Sequence, residues 1–181
     1  SAGDEGITAT PDNLGQQNRA SSITPETTLN APPTPIITKF IEEQIDVEKI
    51  IVMVQNEVAD RFSAKTGTKS YNSLTIFLNY YFDIKKAFVV SRNVFYPKPN
   101  VDSAVVTFTK KRNTLKADNA KLFFKLVRDA FCQKRKTLKN NLKAYDLDKI
   151  DEVLKKYNKN ITFRAENITM DEFIDISNNL N

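Results

Sequence analysis

The sequence predicts a mixed α/β region followed by a small all-helical domain. Three observations carry this: a sharp change of composition near residue 36, short apolar runs alternating with helix-spaced ones from there to Arg112, and purely helical spacing beyond. The first 35 of the 181 residues hold three of the four glycines and five of the seven prolines, and no aromatic residue. Such a stretch buries too little apolar surface to offset its conformational entropy, so residues 1–35 are expected to form an extended or disordered arm. Residues 36–112 are then expected to form the α/β part and residues 113–181 the helical part.

Within the α/β part, Ile36, Ile37, Phe40 and Ile41 have helical spacing behind Pro35. Lys49–Val54 is a continuous apolar run, as in a strand covered on both faces. Glu57–Ala64 reads as a helix with Glu57 and Arg61 one turn apart, and Ser73 as the cap of another that carries Leu74, Phe77, Leu78 and Tyr81. Ala87–Ser91 and Ala104–Thr109 read as strands around a turn rich in proline, Tyr96-Pro97-Lys98-Pro99-Asn100. Later, Lys121–Lys143 reads as one long helix, Asp148–Tyr157 as a second, and Met170–Leu180 as a third, for which Thr169 and Glu172 form a capping box. An apolar strand at 50–54 lacking neighbours would leave an exposed edge, which implies self-association or coverage by the N-terminal arm.

Composition excludes several chemistries. The chain has no histidine and one cysteine, Cys132, so neither a zinc site nor a histidine-based triad can be assembled, and no role falls to the thiol. A lone cysteine and the lack of any bilayer-length apolar run suit a reducing, cytoplasmic setting, away from membranes.

Charge is the sharper signal. The net charge is +5, yet Lys110 to Lys143 alone holds twelve Lys and Arg against Asp118 and Asp129, so one segment carries the whole positive excess. Wrapped on a helix, Leu122, Phe123, Leu126, Val127, Ala130, Phe131, Leu138 and Leu142 share one face. Lys121, Lys125, Arg128, Arg135, Lys136, Lys139 and Lys143 form a stripe on the other, with Lys134 falling on the apolar side. A solvated face of an ordinary helix mixes acids with its lysines. Uncompensated cations at this density point instead to a polyanion, RNA or DNA, with Lys110, Lys111 and Arg112 extending the set. A membrane surface is disfavoured, since the apolar face is needed for the helix's own core.

Three stretches resemble one family. Ile51-Val52-Met53-Val54-Gln55 with Asn56-Glu57-Val58-Ala59-Asp60-Arg61-Phe62 is similar to a strand and helix of the small-subunit ribosomal RNA adenine dimethyltransferases. Phe95 to Val106 matches their Phe-x-Pro-x-Pro-x-Val-x-Ser signature. Ala130-Phe131-Cys132-Gln133-Lys134-Arg135-Lys136-Thr137-Leu138-Lys139-Asn140-Asn141-Leu142 and Arg164-Ala165-Glu166-Asn167-Ile168 match motifs of their helical domain. The resemblance, from about Pro35 onward, implies the last part of a Rossmann-like sheet plus an RNA-gripping helical domain. It also implies an enzyme that uses S-adenosyl-L-methionine to dimethylate two adjacent adenosines near the 3′ end of small-subunit rRNA, with that rRNA or the small ribosomal subunit as partner. In this family Phe95 would flank the flipped adenine, stacking on it.

The same comparison shows what is missing. Gly67 is the sole glycine after Gly15, so the family's Gly-rich cofactor loop has no counterpart in the globular part. Asn30-Ala31-Pro32-Pro33 stands where Asn-Leu-Pro-Tyr is expected, with Pro33 in place of the stacking tyrosine. Most of the cofactor-binding half is thus expected to be absent or replaced, and this chain alone is expected to hold rRNA without binding the cofactor or turning over. A non-catalytic RNA-binding or ribosome-assembly module is the alternative, and a DNA-binding protein a third.

Overall fold

The structure, a computed structural model, describes Ile7–Ala9, alternate positions from Ile37 to Glu43, and residues 46–112 and 115–181. It divides into two compact units. One takes in the described residues up to Ser63 together with Tyr81–Lys111, and the other Ala64–Tyr80 with Arg112–Asn181.

The first unit is built on a four-stranded sheet: β1 (Ile7–Ala9), β2 (Lys49–Gln55), β3 (Phe82–Val90) and β4 (Ser103–Lys110), in the spatial order β1-β2-β4-β3. The register explains its core. Ile50 lies opposite Phe108, Val52 opposite Val106 and Val54 opposite Ala104, and all six side chains are buried. Helix α1 (Asn56–Phe62) follows β2 with no intervening residue and buries Val58, Ala59 and Phe62, whose ring meets Phe108 edge-on at 5.5 Å. Glu57 and Arg61 on its outer side form the expected pair at 3.2 Å. Among the described residues of the first predicted helix, Ile37, Lys39 and Ile41 are helical, and Ile37 is fully buried.

Two strand expectations are corrected. Ile51 and Met53 are only half-buried, so β2 is an alternating strand with one well-covered face, as its antiparallel partner β4 permits. Strand β3 begins at Phe82, five residues before Ala87, because pairing with β4 carries the polar Asp83, Lys85 and Lys86 along an edge where hydropathy gives no signal. Its ladder shifts register between Lys86 and Phe88, leaving Ala87 as a bulge. On the other edge, Ile7–Ala9 of the arm pairs in parallel with Ile50–Val52, so part of the arm is a strand that covers the 50–54 edge over three residues. The Asn30–Pro33 remnant lies outside the described residues.

The second unit is helical: α2 (Ser73–Tyr81, whose last residue is grouped with the sheet unit), α3 (Ala120–Ala130), α4 (Leu138–Asn141), α5 (Leu147–Lys155) and α6 (Met170–Leu180). The 36–112 stretch is therefore not one unit. Residues 64–80 belong with the helices because their aromatic side chains pack there. Phe77 meets Phe124 at 5.0 Å, Tyr80 meets Phe123 at 5.2 Å, and Tyr71 meets Phe131 at 5.9 Å. The buried Tyr71 hydroxyl donates to the Ile168 carbonyl at 2.7 Å, and burial pushes its pKa far above the ordinary phenol value.

Caps set the helix boundaries. Asn72, not Ser73, starts α2: its side chain accepts from Thr75 N–H while the Thr75 hydroxyl accepts from Asn72 N–H. Thr169 and Glu172 form the predicted capping box on α6. Glu172 is almost fully buried and also receives the Lys159 ammonium at 2.7 Å, and that ammonium in turn donates to the Asn167 carbonyl.

Candidate nucleic-acid interface

The predicted long helix is two helices. Helix α3 stops at Ala130, Phe131 caps it, and residues 131–137 run in turns before α4. The physical reason lies in Asn141 and Thr137. The Asn141 side-chain amide donates to the carbonyls of Ala130 (2.8 Å) and Gln133 (3.0 Å), taking acceptors that a continuing helix would have used. The Thr137 hydroxyl accepts from Asn140 N–H and starts the second helix afresh. The backbone N–H groups of Leu138 and Lys139 reach the carbonyls of Phe163 and Ile161 at 2.9 and 2.8 Å. The apolar face survives the break, since Phe123, Leu126, Val127, Ala130, Leu138 and Leu142 are all buried.

The cations therefore form two groups in place of one rail. Lys121, Lys125 and Arg128 stand exposed on α3, and Lys134, Arg135, Lys136, Lys139 and Lys143 are exposed on the turns and on α4. Lys134, expected to fall on the apolar side, is freed by the turn and donates to the Lys69 carbonyl at 3.1 Å. Lys125 is also engaged: its ammonium reaches Asp129 Oδ2 at 3.1 Å and the Tyr145 hydroxyl at 3.2 Å. Tyr145 donates to the same Asp129 oxygen at 2.6 Å. That hydrogen bond, aided by Lys125 and opposed by burial, holds the Asp129 carboxyl below the usual carboxylate range. Asp129, one of two acids in the basic segment, is thus already neutralised locally. Lys121, Arg128, Arg135, Lys136, Lys139 and Lys143 form no ion pair with any described residue.

Lys110 and Lys111 end β4 in the sheet unit, where Lys110 pairs with Asp46 at 2.6 Å and Lys111 with Asp83 at 3.8 Å. Arg112 begins the helical unit and is exposed.

The Phe95 signature lies in the sheet unit, on the loop from β3 to β4. A short 3₁₀ turn, Arg92–Val94, opens the loop, with Ser91 Oγ accepting from Asn93 N–H. Asp102 at its far end accepts from Arg92 N–H at 2.9 Å, and the Arg92 guanidinium donates to the Asn100 carbonyl at 2.7 Å, so the loop is braced at its base. Phe95 follows the turn, half-buried, with Tyr96 beside it in full solvent exposure at 101%. Hydropathy could not show the Arg92–Asp102 brace. Its only sequence signal is a pair of opposite charges at the two ends of a proline-rich turn.

Among the described residues Gly67 is the sole glycine; it sits in the helical unit at φ +88°, in a turn where its N–H donates to the Glu166 carbonyl. At the β2–α1 junction strand passes straight into helix, leaving no loop in which backbone N–H groups could cradle a nucleotide. The described residues contain no cluster of metal-ligating side chains and no helix long and apolar enough to cross a membrane.

This mixed sheet with a braced basic loop belongs to the methyltransferase class of folds. A 23S rRNA methyltransferase, ErmE, matches 97% of this chain and 82% of its own with a TM-score of 0.64; at 17% identity this concerns the fold alone. A dimethyladenosine transferase from Plasmodium falciparum matches at 26% identity with a TM-score of 0.61, over 79% of this chain and 60% of its own. Residues 21–181 match the ribosomal RNA adenine dimethylase family, and the chain belongs to that family. Among curated relatives, the ribosomal RNA small subunit methyltransferase A of a Geobacillus strain is 41% identical over 155 residues, covering 81% of this chain and 53% of the relative. That of Oceanobacillus iheyensis is 38% identical over 151 residues, covering 80% and 51%. The chain spans about half the length of the curated relatives it matches.

Proposed function

We propose that this chain is the RNA-holding portion of an adenine dimethyltransferase whose target is two adjacent adenosines near the 3′ end of small-subunit rRNA. In this reading the chain alone binds the rRNA, within the small ribosomal subunit, without methyl transfer. Six exposed cations that form no ion pair with a described residue carry the reading: Lys121, Arg128 and Lys139 on helices whose other faces are buried, and Arg135, Lys136 and Lys143 on the adjoining turns. Ionic neutralisation of phosphates is what such a set does best, and it needs no precise geometry. Phe95 supplies an apolar face for an extruded base, while the loop's brace limits the entropy lost on binding. The family's cofactor is S-adenosyl-L-methionine, and the lack of a glycine-rich turn among the described residues supports the reading that this chain alone does not hold it.

The test is binding of small ribosomal subunits over a range of salt. Neutralising three cations, Arg135→Gln, Lys136→Gln and Lys139→Gln, should flatten the slope of log affinity against log salt by about 2, with affinity falling more than tenfold at low salt. Unchanged affinity at physiological ionic strength would overturn the placement of the interface. Calorimetry with S-adenosylmethionine should give no binding heat, and tight binding would refute the absence of turnover.

A further inference from the structure

We infer that a cavity within the helical unit is a recognition pocket for one guanine nucleotide, free or in an unpaired strand, with Glu166 reading the base's two adjacent N–H donors. The cavity, of about 250 Å³, lies between the start of α2, the turn after α3 and the short 3₁₀ turn Ala165–Asn167, and every residue lining it belongs to that unit. It is smaller than the sites that enclose drug-sized ligands, so its occupant is small.

The walls divide by chemistry. Leu74, Ala130, Ala165 and the Phe131 ring are apolar, and the ring is held by Tyr71 at 5.9 Å and Phe173 at 6.1 Å. Half-buried Phe131 therefore offers a fixed aromatic surface for a flat heterocycle. Lys134 and Glu166 supply the charge. Glu166 is half-buried, yet its carboxylate forms no ion pair or hydrogen bond with any described residue; only its backbone carbonyl is engaged, by Gly67 N–H at 2.7 Å. The Lys134 ammonium gives one N–H to the Lys69 carbonyl and keeps two others.

A partly desolvated carboxylate without a donor favours a ligand that brings donors. Being an acceptor only, it also selects among bases. Guanine alone presents two donors side by side, N1–H and the 2-amino group. On adenine and cytosine the amino group sits beside a ring nitrogen whose lone pair a carboxylate repels, and on uracil the one N–H lies between two carbonyls. The neighbouring edge of guanine, O6 and N7, is the edge that lysine reads. An acid and an ammonium lining one small cavity thus match adjacent edges of the same base. Arg135 and Lys136 follow Lys134 on the same exposed turn and serve the phosphate, and in this respect alone the inference rests on the preceding reading.

Fluorescence anisotropy with the full chain should compare short fluorescein-labelled oligouridines that carry one guanosine or one adenosine at the centre. The guanosine strand should bind about tenfold more tightly. Glu166→Gln leaves a single acceptor and should bring the two strands within about twofold, with the circular dichroism spectrum and the salt slope unchanged. Guanosine monophosphate should displace the guanosine strand and adenosine monophosphate should not. Displacement at micromolar nucleotide assigns the pocket to the free ligand, displacement only at millimolar assigns it to the strand, and none at all refutes the base assignment. Equal binding of the two strands by the parent refutes the pocket, even where the Arg135, Lys136 and Lys139 variant still loses small-subunit affinity. A guanosine preference that survives Glu166→Gln overturns the role of Glu166. If the triple variant is silent toward small subunits and the guanosine preference holds, the pocket stands and the interface proposed above falls.

Discussion

The two units display cations by different means. In the helical unit, Lys121, Arg128 and Lys139 stand on helices, and Arg135, Lys136 and Lys143 on the turns that adjoin them, with positions set by caps and buried apolar faces. In the sheet unit, Lys85 stands on an edge strand, and Arg92 and Lys98 lie on a loop tied at its base by one carboxylate. The first arrangement depends on many small anchors and spreads charge over a broad area. The second depends on very few bonds and places charge beside exposed rings. A broad cationic area suits a folded phosphate backbone, whereas charge beside rings suits an unpaired base.

The comparison breaks most readily at the cores. Phe108→Ala removes the ring on which Phe62 and Phe82 meet and should destabilise the sheet unit by about 4 kcal/mol. Urea unfolding followed by circular dichroism should then show a strand signal lost well before the helical one. A single shared transition would show instead that the units unfold together.

Next in size is Glu172→Ala, which removes a capping-box partner and leaves the Lys159 ammonium beside a buried gap. A loss of about 3 kcal/mol from the helical unit is expected in chemical denaturation, with Lys159→Met recovering part of it in the double variant. Full additivity of the two changes would mean that the pair is not coupled.

A finer test separates cations already engaged from those that are not. Arg128→Gln should cost about fivefold in small-subunit affinity and Lys125→Gln distinctly less, because Lys125 is already shared between Asp129 and Tyr145. Equal losses, measured by filter binding, would show that this local network gives way when RNA binds.

The smallest effect is a titration. Tyr145 gives the main support to ionised Asp129, so the carboxyl's pKa in the folded chain lies below its unfolded value. Its contribution to stability is full above about pH 4 and disappears as pH falls through the folded pKa. Tyr145→Phe should move the Asp129 carbon resonance midpoint upward, toward an ordinary carboxylate, and reduce that acid-side dependence. A midpoint that stays put would assign the effect to Lys125.

What the sequence could show follows from which forces are local. The capping box at Thr169 and Glu172, the Glu57–Arg61 pair and the apolar face from Phe123 to Leu142 depend on residues a few positions apart, and each was readable as a pattern. The break after Ala130 depends on Asn141 returning to carbonyls eleven and eight residues back, which no hydrophobic period encodes. The true extent of β3 was hidden for a similar reason, since Asp83, Lys85 and Lys86 are strand residues only because β4 lies alongside. Grouping 64–80 with the helices needed rings distant in sequence to meet, Tyr71 with Phe131 and Tyr80 with Phe123. Of the interface, the cations of the helical unit were evident from composition. That Lys125 and Lys134 among them are already engaged was not.

The register shift at Ala87 has a bearing on how such a surface survives in a crowded solution. An outermost strand carrying Phe88 and Val89 in the open would ordinarily invite a like strand to zip alongside it, chain after chain. The bulge disrupts the ladder at the residue before the phenylalanine, and two lysines stand immediately ahead of it, so an incoming strand meets a gap in its hydrogen bonds and a charge it must desolvate. The fold can leave these rings uncovered because the same few residues make the margin a poor template for fibrils.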